Sequence, residues 1–292
     1  MAKLTIITPT YNRAHTLPRC YSSLCRQTCK EFEWIIVDDG STDDTQSVVA
    51  GFLADDFRIV KIRKENGGKH TALNASHPYV SGDYVLILDS DDYLTDTAVE
   101  EVLAAWKKHG DDDPIGMLTF LKGHSVGEPV CTVSDYEIPV DILRYRRQAH
   151  SGNDCCEVVR ANLFLEYPFP VYKGERFISE CALWNRVGQH FKCVYIDSVI
   201  YICEYMEDGL TRSGRSMRIR NPNGGMFTSN LRMDRRNFLG QRFKYGMLYT
   251  CYGFFAHKSI LQQLKETDYP FLAAICCPFG FVLYLLWKHK YK

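Results

Sequence analysis

No pair of cysteines in this 292-residue chain has CxxC spacing, although there are twelve of them. Cys25 and Cys29 stand a helical turn apart, and Cys155-Cys156 and Cys276-Cys277 are adjacent, so neither a zinc knuckle nor a redox motif is spelled out. No export signal is expected either, because Met-Ala-Lys leads directly into "LTIITPTYN", which reads as a first strand. The cysteines are therefore expected to be reduced, small and mostly buried. Internal repeats and low-complexity tracts are absent, and 46% apolar residues argue for a folded chain over disorder. No Ser-His-Asp constellation or metal-spaced histidine cluster suggests a hydrolase or a zinc site. Net charge is also lacking, since 35 basic residues face 35 acidic ones. The balance is uneven: from Gly209 onward fourteen Lys or Arg meet three acids, leaving 21 bases and 32 acids in residues 1–208. An acidic body with a basic tail implies that the tail meets an anion, either phosphate or a membrane surface.

Within the body, apolar runs alternate with helical patterns. Leu4–Thr8, "FEWIIVDD", "FRIVKIR" and "DYVLILD" predict strands. Leu17, Cys20 and Leu24 share a helical face. Ser41 and Thr42 can cap a helix with Asp43 and Asp44 in its first turn. Thr95 is expected to cap "DTAVEEVLAAWKKHG", whose Val99, Val102, Leu103 and Trp106 form a stripe that Gly110 ends. Residues 115–205 are less regular, with "IGMLTFL", "EVVRANLF" and "CVYIDSVIYI" as further strands and "CALWNRVGQH" as a helix. The alternation predicts an α/β fold, a mainly parallel sheet with helices on both faces. The expected division is a body of residues 1–205 and a basic, aromatic-rich helical region of residues 206–292.

Parallel strands end on one side of their sheet, and ligands bind beyond those ends. Three strands here run into polar clusters: "TPTYNR" (8–13), "DDGSTDD" (38–44) and "DSDD" (89–92). Asp89, Asp91 and Asp92 repel one another unless a cation sits among them. Mg²⁺ or Mn²⁺ takes such oxygen ligands together with substrate phosphates. The bland alternative is an acidic turn at a helix start. Asp38 and Asp39 allow the same two readings. In "ENGGKHTALN" (65–74) a glycine pair and Lys69 open a short helix whose N–H groups suit a phosphate, although the spacing is not that of a Walker loop. A plain turn is the alternative there.

"TIITPTYNR", "WIIVDDGSTDDT", "ENGGKHTALN" and "LILDSDDYL", in this order, resemble the family 2 glycosyltransferases of GT-A fold, a Rossmann-like architecture. The resemblance is strong over about 110 residues and looser to about residue 205. It implies a nucleotide-sugar donor, usually UDP-linked, a divalent cation (Mn²⁺ or Mg²⁺), and single-displacement transfer with inversion at the sugar carbon. By position, Thr8, Pro9, Tyr11 and Asp39 would surround the nucleobase and ribose. Asp91 and Asp92 would bind ribose and metal, with Asp89 as the other acid. Lys69 and Asn74 fall in a donor-lining loop. The family's base precedes a later helix, where "KGERFISECALWNRV" stands here. Glu180 aligns best through the following "ALW", Ser179 replaces the usual first acid, and Glu175 competes. Arg212, with Arg215 and Arg218, can close over the diphosphate from "LTRSGRSMR"; a solvated loop is the alternative.

Nineteen residues without a charge, "YPFLAAICCPFGFVLYLLW", separate Asp268 from Lys288, and Pro278 and Gly280 are expected to interrupt them. A crossing would export "KHKYK" against the positive-inside rule. A helix lying in the inner membrane interface or re-entering it is expected, with Arg235, Arg236, Arg242 and Lys244 near anionic lipid. The alternative is a buried C-terminal helical pair. Together these features predict a cytoplasmic, peripherally attached enzyme that extends a lipid-linked, polyprenyl-type glycan for a bacterial surface polysaccharide, without a nucleic-acid partner. Two rivals are a nucleotidyltransferase, whose Gly-rich basic loop after the first strand is missing from "TPTYNRAHT", and a non-catalytic sugar-nucleotide-binding protein.

Overall fold

Runs of β-branched and aromatic residues build the first part of the molecule. The computed structural model describes residues 2–110, 114–145, 154–203 and 210–291, without the side chains of 144–145 and 210–213. The chain divides into two compact units, Met1–Pro168 with His190–Met206, and Phe169–Gln189 with Glu207–Lys292.

In the first unit the strands are β1 (Leu4–Thr10), β2 (Phe32–Asp38), β3 (Arg58–Arg63), β4 (Tyr84–Ile87), β5 (Tyr93–Leu94), β6 (Ile115–Ser125), β7 (Glu128–Pro129), β8 (Pro139–Val140), β9 (Cys155–Arg160) and β10 (Lys192–Ile202). Its helices are α1 (Leu17–Cys25), α2 (Thr45–Ala50), α3 (Lys69–Ser76), α4 (Ala98–His109), α5 (Ile142–Tyr145) and α6 (Ala161–Glu166). The sheet runs β3-β2-β1-β4-β9-β6-β10-β5, with β7 on β6 and β8 on β10. β3, β2, β1 and β4 are mutually parallel, as are β6 and β10. β9 runs antiparallel between β4 and β6. Every residue of β1 and β2 is buried, as parallel strands covered on both faces must be. Register sets Thr10 beside Asp38 and Ile7 beside Ile87. The ends of three strands therefore open on the same side. Leu4, Ile6, Trp34, Ile36, Leu86, Leu118 and Trp106 lie in the core of this unit.

Two local expectations give way to tertiary pairing. α4 starts at Ala98 behind Thr97, and Thr95 instead donates its backbone N–H to Ile200 O at 2.9 Å. Pairing of β5 with β10 holds residues 93–94 extended, so the helix cannot begin as early as Thr95. "EVVRANLF" is not one strand, for β9 ends at Arg160 and α6 begins at Ala161. Beyond Arg160 the sheet offers β9 no further partner on β4, and Leu163 and Phe164 are buried from a helix. All cysteines but Cys25, Cys29 and Cys181 are buried.

The second unit is helical: α7 (Cys181–Gly188), α8 (Leu210–Arg220), α9 (Pro222–Arg232), α10 (Leu239–Phe255), α11 (Ile260–Glu266) and α12 (Pro270–Lys290). Met226, Met233, Tyr249, Tyr252, Ala273 and Trp287 lie in its core. A Cβ at Gly280 of α12 would lie 1.9 Å from Thr250 Oγ1 and 2.7 Å from Met247 O of α10, so only glycine permits this approach. α12 continues through Pro278 for 21 residues, and the expected interruption does not occur. Burial of Cys276, Cys277 and Gly280 holds the helix on both sides of the proline. It is long and apolar enough to cross a membrane, with 28% of its most apolar window buried. Phe271, Ile275, Phe279, Val282 and Leu286 form an exposed stripe along it.

Candidate functional site

Asp38 and Asp39 leave β2 where Thr10 ends β1, and the two chain segments are tied together at once. Asp39 N–H donates to Thr10 O at 2.8 Å. Asn12, with φ of 54°, receives Ser41 as acceptor of its N–H at 2.9 Å and accepts from Thr42 N at 2.8 Å. Asparagine tolerates this left-handed backbone better than most residues. Ser41 and Thr42 therefore hold the 10–13 loop and do not cap α2. Asp43 takes the Thr45 N–H at 3.0 Å instead.

The Asp39 carboxylate organises the neighbouring loop. It accepts from Lys64 Nζ at 2.7 Å, Gly67 N at 3.0 Å and Gly68 N at 2.7 Å. Asn66 Nδ2 donates to its backbone carbonyl at 2.9 Å. Gly40 (φ 78°) stands so close that a Cβ there would meet Asn66 N at 2.8 Å. One buried acid thus fixes the "ENGGK" turn and the start of α3, from which Lys69 reaches across to pair with Asp89. Lys64 was not a candidate from sequence; its only signal is adjacency to "ENGGK".

At the end of β4 the chain turns tightly, with Asp92 N donating to Asp89 O at 3.1 Å. Tyr201 of β10 accepts the Asp89 N–H and donates its hydroxyl to Asp92 Oδ2, both at 2.9 Å. Lys122 Nζ lies 4.2 Å from the centre of the Tyr201 ring. Arg19 donates to Asp91 O at 2.5 Å, and Arg13 Nε lies 4.0 Å from its carboxylate. Burial works against ionisation of Asp89, yet the charges of Lys69 and Lys122 hold its carboxyl below the usual range. Burial and then the Asp89 charge raise Asp91 and push Asp92 up to about 7. Burial and the two aspartates also raise Tyr201, which keeps it a neutral donor. Tyr201 lies 109 residues beyond Asp92 and Lys122 about thirty, so no local pattern marks them.

Among the described residues no three acid, histidine or cysteine side chains converge as a full metal cage. A hard divalent ion needs none where phosphates complete its shell, one or two carboxylates being the usual protein share. The donor set fits that pattern. Asp89, Asp91 and Asp92 offer oxygen alone, and burial followed by the Asp89 charge raises the carboxyls of Asp91 and Asp92.

The remaining candidates fall in different settings. Thr8 and Pro9 are buried in β1, and Thr8 Oγ1 accepts the Trp34 indole N–H at 2.9 Å. Tyr11 is exposed. Asn74 is half-buried on α3. The Arg212 side chain lies outside the described residues. Glu175 and Glu180 belong to the second unit. Glu175 accepts from Asn223 N at 2.8 Å, Asn223 Nδ2 at 2.7 Å and Gly224 N at 2.9 Å, so both oxygens cap α9. Glu180 immediately precedes α7, where Ala182, Leu183, Trp184 and Val187 are buried.

The profile of glycosyl transferase family 2 matches residues 5–161. GlyG, a glycosyltransferase of Streptococcus pneumoniae, is 32% identical over 228 residues, 74% of this chain and 73% of GlyG. GlyA of the same organism is 36% identical over 39% of this chain, which spans only 16% of GlyA's length. A Campylobacter jejuni GalNAc(5)-diNAcBac-PP-undecaprenol beta-1,3-glucosyltransferase is 37% identical over 35% of this chain and 34% of that protein. Among solved structures, Staphylococcus aureus TarS 1–349 in complex with UDP-GlcNAc aligns over 99% of this chain and 92% of its own at 17% identity, with a TM-score of 0.62. The mannosyltransferase PcManGT from Pyrobaculum calidifontis, in complex with GDP-Man and Mn²⁺, aligns over 99% and 83% at 16% identity, with a TM-score of 0.59. These likenesses agree with the GT-A architecture of the sheet and with the order of the strand-end motifs, and the chain belongs to glycosyl transferase family 2.

Proposed function

We propose that this chain moves a sugar from a nucleotide donor, UDP-linked, to a hydroxyl of a lipid-linked glycan, with inversion at the sugar carbon. The observation that carries this reading is the meeting of the Asp39-organised loop with the DSDD turn through Lys69 and Asp89. A loop of backbone N–H groups, a lysine and a run of carboxylates is what a nucleoside diphosphate with a cation requires. Asp89, Asp91 and Asp92 would hold Mn²⁺ or Mg²⁺, which when bound would neutralise charge on the leaving diphosphate. Lys69 can pass from Asp89 to a phosphate oxygen. Asp39 would keep the loop in place while Tyr11 offers a ring beside the nucleobase.

Glu180 would take the proton of the acceptor hydroxyl. Support comes from Glu175, whose two oxygens already serve α9. Glu180→Gln is expected to lower turnover by roughly 10²–10⁴-fold, the scale of a general base, with donor affinity kept. Near-normal transfer by Glu180→Gln would move the role elsewhere.

The acceptor class and the location at the inner face of the membrane are supported by the exposed stripe of α12 and by the undecaprenol-linked substrate in the name of the Campylobacter relative. The decisive experiment is a panel of nucleotide sugars with Mn²⁺, scored by release of the nucleoside diphosphate. Release from none of them, with UDP-sugars still bound, would favour a sugar-nucleotide-binding protein instead.

A further inference from the structure

A cavity of about 270 Å³ lies wholly within the second unit. Its walls carry Arg215 and Arg218 of α8, Arg232 of α9 and Lys244 of α10. Among the described residues no carboxylate lines it, and none of these four cations forms an ion pair. Like charges gathered around a concave space repel one another unless an anion offsets them.

Aromatic rings hold the cations in place. Arg215 stacks over Trp287 at 4.6 Å from the ring centre, and Arg232 lies 5.0 Å from that of Tyr245. Arg232 also donates to the Tyr245 hydroxyl. Guanidinium groups fixed this way suit the oxygens of a phosphate or diphosphate, which they can grip in pairs. The α9 wall is made of Gly225, Thr228 and Ser229, small residues that leave room and two hydroxyls. The space takes a head group, not a whole glycan.

Trp287 is the contribution of α12 to the cavity wall. It stands in the last turn of α12, the helix whose stripe of Phe271, Ile275, Phe279, Val282 and Leu286 is exposed among the described residues. α12 thus supplies both a wall of the cavity and an apolar surface suited to a hydrocarbon tail. We infer that the cavity seats the phosphate or diphosphate of a lipid-borne acceptor. The inference rests on the acceptor class given under the proposed function and adds where its charged group is held.

The test uses the full chain with phosphatidylcholine vesicles, plain or carrying a polyprenyl diphosphate, and follows binding by sedimentation. Inorganic pyrophosphate is added as a soluble competitor, and UDP affinity is measured on the same samples. Arg232→Gln, Lys244→Gln and the double variant are compared with wild type. Wild type is expected to bind the diphosphate vesicles better than plain ones, with pyrophosphate competing. The double variant should lose about thirtyfold of that preference, the scale of two basic side chains at an anionic head group, while UDP affinity stays as it was. Lys244 is exposed, so its single variant keeps the test readable if Arg232→Gln unfolds. Equal loss of UDP affinity would give the cavity to the donor and overturn the assignment. Pyrophosphate binding without any preference for the diphosphate lipid would overturn the lipid source. The acceptor class is judged separately, by wild-type transfer to a diphosphate-linked glycan against the same glycan free. Equal use of both defeats that class. A preference for the linked glycan, with KM unmoved in the double variant, defeats only the cavity.

Discussion

Two buried polar side chains in the first unit have effects that single substitutions can read. Glu33 is fully buried on β2 and accepts from Thr5 Oγ1 at 2.8 Å, Ser81 N at 2.7 Å and Arg58 at 2.7 Å. Glu33→Ala would leave the Thr5 and Ser81 donors unmatched and is expected to cost about 2 kcal/mol in denaturant unfolding, the scale for leaving buried donors unsatisfied. His70, also buried, is pushed down to about 4 from 6.5, mainly by burial. Its ring is neutral in the native state, so the unfolded chain binds the extra proton as the pH falls below 6.5. Stability should therefore fall over that window, by up to roughly 3 kcal/mol at its lower end. His70→Gln should flatten the dependence in thermal melts taken from neutral pH down to about pH 5, and an unchanged slope would assign it to other groups. Much of the site was legible at this scale. Acids that end apolar runs, as Asp39 and Asp89 do, stand out because a buried strand has no other reason to stop in charge. Their partners do not stand out. Lys64 sits in an ordinary polar turn, and Tyr201 is one aromatic within an apolar strand until β10 brings it to Asp92.

Elements obey pairing before they obey local signals. The strands β1, β2 and β4 were readable because each is a short apolar-dominated run bounded by polar turns, and β3 because Ile59, Val60 and Ile62 are β-branched. Thr95 failed as a cap because β5 was already committed to β10. Ser41 and Thr42 failed because Asn12 competed for them. Glu175 was readable as a carboxylate of interest, but its service to α9, 48 residues further on, was not. Helix α12 was misjudged at Pro278 since sequence shows the missing donor and not the α10 surface that supports the helix. That surface makes its own prediction. Gly280→Ala would force a Cβ against Thr250 and the Met247 carbonyl, and overpacking of this kind costs typically 1–3 kcal/mol, so about 2 kcal/mol is expected. Thr250→Ala in the same chain should restore part of the loss, because it removes the side-chain clash and leaves the backbone one. Additive losses in a double-mutant cycle would mean that the two helices do not meet as described.

For the whole molecule, the charge division and α12 act together. Deleting α12 would be a poor test of membrane attachment, since Ala273 and Trp287 belong to the core of the second unit. Replacing Phe271, Ile275, Val282 and Leu286, all exposed, by Ser leaves the buried stripe and the Phe243–Phe279 contact intact. The replaced protein is expected to melt as wild type does, yet to lose most of its binding to vesicles rich in phosphatidylglycerol. Retained binding in low salt that vanishes at high salt would put the attachment in the basic residues alone. The same stripe also governs handling of the purified protein. A helix with one side bonded into a folded body and the other uncovered behaves as the tail of a surfactant. Above some threshold concentration in plain buffer, copies should gather tail to tail, and a nonionic detergent should disperse them without unfolding. Sedimentation velocity across a dilution series would show that threshold, and the four-serine variant should have none.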